Sequence, residues 1–368
     1  MKLFGTTWID NAINSYNFSE QRLGMFRIIF GLNLLITGTI PNIFYLASFP
    51  DSFFTPPIGP AIFFNGFPSL PFMWVLYTFT FIACVFMVLG VYTRATSLAY
   101  ALLSLLGFSF MFSLGKISHN TGFYFLPMVL AFSDWGAAYS WDAHHRNVAT
   151  NRLRSNTAVF IYALTLGWMF FTAGVPKLIG GWLSFSTQAG YGYFVNYHYV
   201  ENVRYFLSPV LIKVTWPVFW EIGDWFTTAF ELAFLWAAFR STRIVVLCAI
   251  ATLFHFFVLN TLNIPSGAFL FCYLLFADWN ALAAKSSVLQ KFFRSVDLFF
   301  RTQWALLLAA PLVGLLMVIN YNYGGVVDVV LNGIFHTPDS TRAYAFIVEL
   351  VGFIVALWFL FRKVRSLV

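Results

Sequence analysis

The chain has 368 residues, of which 60% are hydrophobic, 21% aromatic and only 10% charged. In a soluble domain about a quarter of the residues are charged, and a globule of this size has too little interior to hide so much apolar surface. The net charge is +7, but the basic residues stand singly between long apolar runs. The composition therefore excludes a soluble enzyme, a disordered protein and a nucleic-acid binder, and it predicts a polytopic membrane protein.

The N-terminal segment and the cysteines add little chemistry. Residues 1–21 (MKLFGTTWIDNAINSYNFSEQ) have no early apolar core, so we expect no cleavable signal peptide, and residues 4–17 could form a short amphipathic helix on the membrane surface. The three cysteines, Cys84, Cys248 and Cys272, lie inside apolar runs without a C-x-x-C pair. Neither a disulfide framework nor a thiol redox motif is indicated.

The apolar runs predict an all-α membrane bundle of about ten transmembrane helices. A bilayer core of about 30 Å needs about 20 apolar residues per helix, and lipid offers no partners for an open sheet edge. The candidate spans are 24–46, 71–92, 96–115, 121–135, 157–176, 214–239, 243–262, 267–284, 303–320 and 343–361.

The distribution of basic residues predicts the orientation. Of the 21 Lys and Arg residues, fifteen fall on one set of connecting segments and termini, five on the other, and Arg27 lies in the first span. Basic residues concentrate on the cytoplasmic side, so we expect both termini in the cytoplasm of a multi-pass protein of the plasma or inner membrane. A site would then face the extracytoplasmic loops, the longest of which, 178–213, is rich in aromatics. We expect three parts: residues 1–21, a transmembrane domain at 22–284, and a basic link with two further helices at 285–368.

Ionisable groups within spans are costly and suggest function. Glu221, Asp224, Thr228 and Glu231 follow a spacing of three, four and three, which places them on one face of the sixth helix. Glu231 lies about 13 Å from the cytoplasmic end of that helix, where a carboxylate needs a cation or a proton. Arg27 is its predicted structural partner. Glu221 and Asp224 either face a cavity or lie at the water interface.

Three helix ends deliver candidate catalytic groups to the outer side. Lys177 lies about 30 Å from the start of the fifth span, after Pro176, which bends or ends the helix. Lys177 either extends into the headgroups or lines a pocket, where a desolvated lysine can act as a base. His255 lies in the outer half of the seventh span, with Asn260 near its exit, and His119 and Asn120 follow the third span. Lone histidines are more often structural, but the convergence of three helix ends favours a pocket.

Other motifs are absent or incomplete. Asp142, His144 and His145 have no further ligand at a diagnostic spacing, so we interpret them as a solvated loop and predict no metal site. The sequence has no P-loop, Rossmann glycine pattern, nucleophile elbow or paired haem histidines.

Several segments together resemble a known family. FFTAGVPKLIGGWLSFS, which contains Lys177, is similar to the segment around the active-site lysine of the vitamin K-dependent γ-carboxylase. LFHFFVLNTLNIPSGAFLFCYLLF, FRIIFGLNLL, LGVYTR and SHNTGFYFLPMVLAFSDW also resemble that membrane domain and the wider HTTM (horizontally transferred transmembrane) family, which has many bacterial members. The resemblance covers residues 18–283 and rests on the order of the motifs.

The resemblance implies roles for individual residues. Lys177 matches the base that deprotonates vitamin K hydroquinone, whose reaction with oxygen yields a stronger base for carboxylation of a glutamate. His255 matches a histidine in the corresponding helix, and Glu231 falls near a family acidic position. His119-Asn120 stands in reversed order and is displaced by two or three positions from the family's Asn-His segment. The cofactor implied is vitamin K hydroquinone or another quinol.

We expect the chain to depart from the carboxylase, because two further predicted helices stand where that enzyme has a lumenal domain for a protein substrate. TAFEL (228–232) and LFH (253–255) are similar to segments of a bacterial branch that matures a secreted toxin of the sporulation-delaying type. Two functions therefore remain open. The first is a carboxylase- or lyase-like enzyme that acts on a quinone or lipid, with catalytic Lys177, His255 and His119 and substrate-binding Asn120, Glu221, Asp224 and Asn260. The second is a non-catalytic accessory protein that matures or exports a secreted peptide. A transporter is less favoured, because no inverted repeat is present.

Overall fold

The regular structure of the chain is helical. A computed structural model describes residues 7–115, 121–203, 205–335 and 340–365. Over these ranges the chain forms helices and no strands, which confirms the all-α prediction.

Six helices are long and apolar enough to cross a membrane within the described ranges. Their bounds are Leu70–Leu89, Thr93–Leu114, Arg152–Ile179, Ser241–Leu262, Trp304–Tyr323 and Arg342–Arg365. The predicted span 267–284 is a pair of shorter elements, Gly267–Phe276 and Trp279–Lys285, which meet at 93°. If the pair counts as one broken span, the number rises to seven.

The remaining predicted spans are shorter or more polar. The first, expected over 24–46, is a helix of 17 residues, Glu20–Ile36. It ends early because Gly38 adopts a positive φ of 65° and Pro41 follows, and neither conformation continues a helix. The fourth is only Thr121–Leu130. The sixth, Pro217–Ala237, has 21 residues but includes three carboxylates.

Short helices make up the connections. Thr7–Asn14 falls within the segment for which an amphipathic surface helix is predicted. The other short elements, apart from those that form the broken pair, are Phe44–Ser48, Asp51–Phe53, Pro60–Phe63, Trp141–His145, Ala189–Val195, the π-helix Asn196–Val200, Ser208–Leu211, Ser287–Phe300 and Val326–Phe335. Within the apolar C-terminal part, the fifth long helix divides into Trp304–Leu307 and Ala309–Tyr323, and the last helix extends over Ser340–Arg365.

The chain folds into two compact units. The first unit consists of Met1–Ser15, Ala163–Leu270 and Thr341–Val368, and the second of Tyr16–Tyr162 and Phe271–Ser340. In the second unit, Leu70–Leu89 and Thr93–Met111 form a helical hairpin. Its turn is built on Gly90, whose φ is 72°, and the Val91 amide donates back to the Phe86 carbonyl at 2.9 Å. This hydrogen bond is the one that closes a Schellman motif.

Arg27 is a structural residue of the second unit. Its side chain is fully buried, and its guanidinium donates to the carbonyls of Trp135 and Tyr139, each at 2.5 Å. A side chain on Gly90 would approach the Arg27 guanidinium carbon to 3.1 Å, so the glycine also leaves room for this arginine. Arg27 thereby satisfies two carbonyls that a buried loop would otherwise leave without donors.

Three helices of the first unit position the candidate site. We refer to Arg152–Ile179, whose C-terminal part belongs to this unit, as the lysine helix, to Pro217–Ala237 as the carboxylate helix and to Ser241–Leu262 as the histidine helix. The carboxylate helix packs against the histidine helix and against the short loop helix Ala189–Val195.

Candidate functional site

The lysine and carboxylate helices approach closely at two glycines. A Cβ on Gly174 would lie 3.1 Å from the Glu231 Cβ, and one on Gly167 would lie 3.0 Å from the Leu235 Cα. The two glycines are seven residues apart, so they share one helix face. Small residues let helix backbones approach closely in membranes. Lys177 stands one turn beyond Gly174 on this same face.

The carboxylate helix buries its polar face. Glu221, Asp224, Thr228 and Glu231 are all buried, as their predicted common face requires. The opposite face is apolar and exposed, and it carries Ile222, Trp225 and Phe226. A helix with polar groups inside and aromatics outside is stable only where the surroundings are apolar.

Lys177 forms an ion pair with Glu231 at the helix contact. The Lys177 Nζ lies 2.7 Å from Glu231 Oε1 and 2.5 Å from Oε2, and it also donates to the Ala173 carbonyl at 3.2 Å. Helical side chains lean toward the N-terminus of their own helix, so the long Lys177 side chain extends back along the lysine helix. The Lys177 side chain is 20% exposed and that of Glu231 is 7% exposed. The carboxylate is therefore the more buried partner.

The end of the lysine helix places an indole beside this ammonium. The sequence predicts that Pro176 bends or ends the helix, and the helix does not end there, since it continues to Ile179. The turn after Ile179 is built on Gly181, whose φ is 80°, and the Trp182 amide donates to the Lys177 carbonyl at 3.2 Å. This turn brings the Trp182 ring centre to 5.3 Å from the Lys177 Nζ, a distance that permits a cation–π interaction.

The predicted ion pair between Arg27 and Glu231 is wrong. Arg27 donates to the backbone carbonyls of Trp135 and Tyr139, and Glu231 binds Lys177 instead. The glycine contact between two helices that are distant in sequence provides Glu231 with its partner. Arg27 directs both of its terminal guanidinium nitrogens to carbonyls of its own unit.

His255 belongs to an aromatic cluster of the first unit. Its ring lies 6.4 Å from that of Phe170 and 5.8 Å from that of Phe254. Phe170 stacks on Phe234 at 4.0 Å and contacts Phe230, the neighbour of Glu231, at 5.6 Å. Phe170 precedes Lys177 by seven residues, or about 10.5 Å along the helix. The aromatic cluster thus connects His255 with the helix contact that holds the ion pair.

The chain matches the family model of the HTTM domain over residues 17–281. This match covers well over half of the chain. The chain belongs to the HTTM family. No curated protein and no solved structure matches it. The family assignment agrees with the resemblance in the sequence, and together with the apolar helices it supports a membrane protein.

In this HTTM chain the two carboxylates nearer the start of the carboxylate helix, Glu221 and Asp224, have different surroundings. Asp224 is buried and accepts a hydrogen bond from the Gly190 amide at 3.0 Å, so it holds the start of the loop helix Ala189–Val195. Glu221 accepts from the Trp225 indole at 2.7 Å. Its second oxygen, Oε2, is buried without a hydrogen-bond partner among the described residues, which is unusual for a buried acceptor.

A second set of polar contacts in the HTTM domain joins Asn260 to the loop 178–213. The Asn260 side-chain amide donates to the Phe256 carbonyl at 2.7 Å, and its backbone carbonyl accepts from Leu207 at 2.9 Å. His198, which the sequence did not single out, is buried and lies 3.2 Å from the Ser208 hydroxyl. No spacing signal marks His198, because its burial depends on the fold of the loop.

The remaining predicted residues lie elsewhere. His119 and Asn120 fall outside the described residues, so their roles stay predictions. Asp142 accepts from the amides of Tyr92 and Thr93, and the ring of His144 contacts Asp297 at 2.9 Å. Among the residues that the structure describes, no three His, Cys, Asp or Glu side chains are grouped to hold a metal.

Proposed function

We propose that this HTTM protein is a membrane-embedded enzyme in which Lys177 and Glu231 remove a proton from a weakly acidic, membrane-dissolved substrate. The substrate class is a hydroquinone or a lipid with an acidic hydroxyl. In the full proposal, the chain crosses the cell membrane ten times with both termini in the cytoplasm, and the pair lies in the extracytoplasmic half. The carboxylase- or lyase-like chemistry follows from the family resemblance.

The observation that carries this proposal is the Lys177–Glu231 pair. Both carboxylate oxygens lie within 2.7 Å of the Nζ, an arrangement that stabilises a protonated lysine. An ammonium cannot accept a proton, so a basic Lys177 must first pass its own proton on, and Glu231 is the acceptor in contact. After the neutral amine takes the hydroxyl proton of the substrate, Lys177 is an ammonium and Glu231 a neutral acid. Release of the Glu231 proton to water then restores the observed ion pair, which therefore represents the resting state between two turnovers.

The surroundings of the pair suit an apolar aromatic substrate. Lys177 is partly exposed, and its neighbour Ile179 is among the most exposed apolar side chains of the first unit. Trp182 offers a ring face beside the ammonium, and Trp225 and Phe226 are exposed on the carboxylate helix. A hydroquinone presents an aromatic ring and a hydroxyl, and it could reach Lys177 from the bilayer. We propose that His255 supports the apolar side of this site through Phe170.

Three helices complete the proposed ten spans. Glu20–Ile36, Thr121–Leu130 and Pro217–Ala237 join the six long helices and the broken pair. The first two are short for a bilayer, and the third includes the buried carboxylates. Short or polar spans are tolerated when other helices surround them and satisfy their polar groups. The bias of basic residues toward one side supports the orientation.

The test distinguishes the role of Lys177 as a base from its role as the cation of the ion pair. Lys177→Arg keeps a cation for Glu231, but arginine does not lose its proton in proteins. We expect hydroquinone-dependent oxygen consumption in proteoliposomes to fall at least about a hundredfold in this variant, as for a lost general base. Lys177→Ala should be equally inactive. The control is Lys213→Arg, which alters an exposed lysine of the same unit.

Activity of Lys177→Arg within about twofold of the wild type would end the proposal of a basic lysine. If the wild type consumes no more oxygen with hydroquinone than protein-free liposomes do, the quinol class is wrong. The lipid class would then be tested by following deuterium exchange at the acidic hydroxyl or carbon position of candidate lipids. Glu231→Gln should also lower the rate, because the amide can neither accept the lysine proton nor stabilise the ammonium.

A second function is favoured by the exposed outer loop. Tyr199, Val200 and Phe206 are 63%, 75% and 73% exposed, while Asp224 and Asn260 anchor the loop at its two ends. We propose, as the alternative, that this aromatic surface binds a secreted peptide during its maturation or export. Tyr199→Ser and Phe206→Ser would then reduce peptide release by intact cells, and Lys177→Arg would leave it unchanged.

A further inference from the structure

A cavity in the second unit is separate from the Lys177 site. It has a volume of about 530 Å³, which lies in the range of small-molecule sites. It opens between the first turns of two long helices, Thr93–Met111 and Arg152–Ile179. Helix N-termini attract negative charge. Three arginines, Arg94, Arg146 and Arg154, line the cavity.

The two acidic residues of the cavity are occupied by hydrogen bonds within the protein. Asp142 accepts from the Thr93 amide at 2.7 Å and from the Thr93 hydroxyl at 2.8 Å. Asp134 accepts from the Asn151 amide at 3.0 Å and from Arg154 at 3.1 Å. These carboxylates fix the starts of the two long helices. They leave the arginines only partly neutralised.

Two arginines have donors to spare. Arg94 forms no ion pair within the described part of the chain, and its guanidinium lies 4.8 Å from the Phe132 ring centre. Arg146 has a long ion-pair contact, 3.5 Å, with Asp142, and its guanidinium lies 4.2 Å from the Tyr92 ring centre. Both side chains are exposed. A planar guanidinium with unused donors is suited to bind a phosphate at two points.

The apolar surface next to the cavity indicates where the anion comes from. Leu98 lines the cavity, and Leu102, one turn further along the same helix, is 56% exposed. An acyl chain could follow this stripe along a helix that is apolar enough to cross a membrane. Tyr92, which lines the cavity, and Phe132, whose ring lies beside Arg94, are both exposed, and aromatic side chains are typical of the membrane interface.

An amphipathic helix places the cavity at the level of the headgroups. Ser287–Phe300 buries Phe293, which lies 5.4 Å from the Tyr139 ring, and His144 contacts its Asp297. The helix exposes Val288, Phe292 and Leu298 and also carries basic residues. Such a helix is typical of the membrane surface, and its contacts tie it to the loop that lines the cavity.

We propose that this arginine cavity binds the phosphate of an anionic phospholipid, with Arg94 and Arg146 as the principal ligands. A lipid phosphate and free phosphate both present an oxyanion that accepts two hydrogen bonds from one guanidinium. The apolar stripe formed by Leu98 and Leu102 favours the lipid. The lipid would hold the starts of both long helices at the membrane surface.

The test measures binding of fluorescent phosphatidylglycerol to the full chain in a neutral detergent. We expect phosphatidylglycerol to bind at least about tenfold more tightly than phosphatidylcholine. Arg94→Gln and Arg146→Gln should each weaken binding about fivefold, the usual effect of one basic residue on an anionic lipid, and together about twenty-fivefold. The matched control is Arg362→Gln, which removes an exposed arginine of the last helix and should leave the affinity unchanged.

Two further arms decide the source of the anion and guard against misfolding. Inorganic phosphate at about the concentration of the lipid should not displace it, and equal displacement would replace the lipid by free phosphate as the ligand. Arg94→Lys and Arg146→Lys keep the charge and should retain most of the affinity. An affinity unchanged in the double Gln variant, or equal for the two lipids, would overturn the proposal. If the Gln variants do not fold, the comparison of phosphatidylglycerol with phosphatidylcholine on the wild-type chain decides the result.

Discussion

The Lys177–Glu231 pair predicts a marked asymmetry between its two single variants. Lys177→Met leaves the Glu231 carboxylate, which is 7% exposed, without its cation. A buried charge that loses its partner costs about 3–5 kcal/mol, and the partial exposure of Lys177 places the expected loss near 3 kcal/mol. Glu231→Gln leaves an ammonium that still contacts the Ala173 carbonyl and the Trp182 ring. We expect a loss of about 1.5 kcal/mol.

The double variant measures the coupling between the two residues. With both charges removed, no buried ion remains, so the double variant should be less destabilised than the two single variants combined by about 2 kcal/mol. This coupling would exceed the fraction of a kcal/mol that is common for polar contacts in membrane proteins, because both carboxylate oxygens contact the ammonium.

The assay is unfolding by sodium dodecyl sulfate in mixed micelles, followed by tryptophan fluorescence from the 13 tryptophans of the chain. Lys213→Met is the control, because it removes an exposed lysine and should change the free energy of unfolding by less than about 0.5 kcal/mol. Strictly additive effects of the two variants would refute the reasoning. So would a Glu231→Gln variant that is less stable than Lys177→Met.

Three further predictions concern packing and anchoring. Gly174→Val should lower the free energy of unfolding by about 2–3 kcal/mol in the same assay, because the valine side chain separates the lysine and carboxylate helices. Gly223→Ala should instead raise it by up to about 1 kcal/mol, because a Cβ at Gly223 meets nothing within 4 Å. Asp224→Ala should release the loop helix and increase chymotrypsin cleavage at residues 189–200 about tenfold; unchanged cleavage would contradict this anchoring role. Arg27→Met should cost about 3 kcal/mol, because two buried carbonyls lose their donor, and a stability equal to the wild type would show that water or other groups replace it.

Much of the carboxylate helix can be predicted from the sequence. The spacing of Glu221, Asp224, Thr228 and Glu231 specifies one face, because 3.6 residues complete a turn of any α-helix. The apolar residues between them specify the opposite face in the same way. The helix is therefore polar inside and apolar outside, as the structure has it. Local periodicity is sufficient for this result.

The partner of Glu231 could not be predicted. Arg27 and Lys177 are both cations within or near a span, and the sequence gives no measure of their lateral distance from the carboxylate. The choice depends on which helices touch, and that depends on Gly167 and Gly174 at a contact between segments 54 positions apart. The loop around His198 is a similar case, because its burial arises from packing of the loop on itself and on the ends of other helices.

The sequence by itself determined that this is a helical membrane protein and which family it belongs to. Hydrophobic composition, periodicity and the order of short motifs are properties of the chain. It also drew attention to Lys177, since ionisable residues are scarce in an apolar chain. Only the tertiary structure decided that Lys177 binds Glu231, that Arg27 supports a buried loop and that three arginines share a cavity. Pair interactions between distant segments depend on distances of a few ångströms, and those distances exist only once the helices have packed.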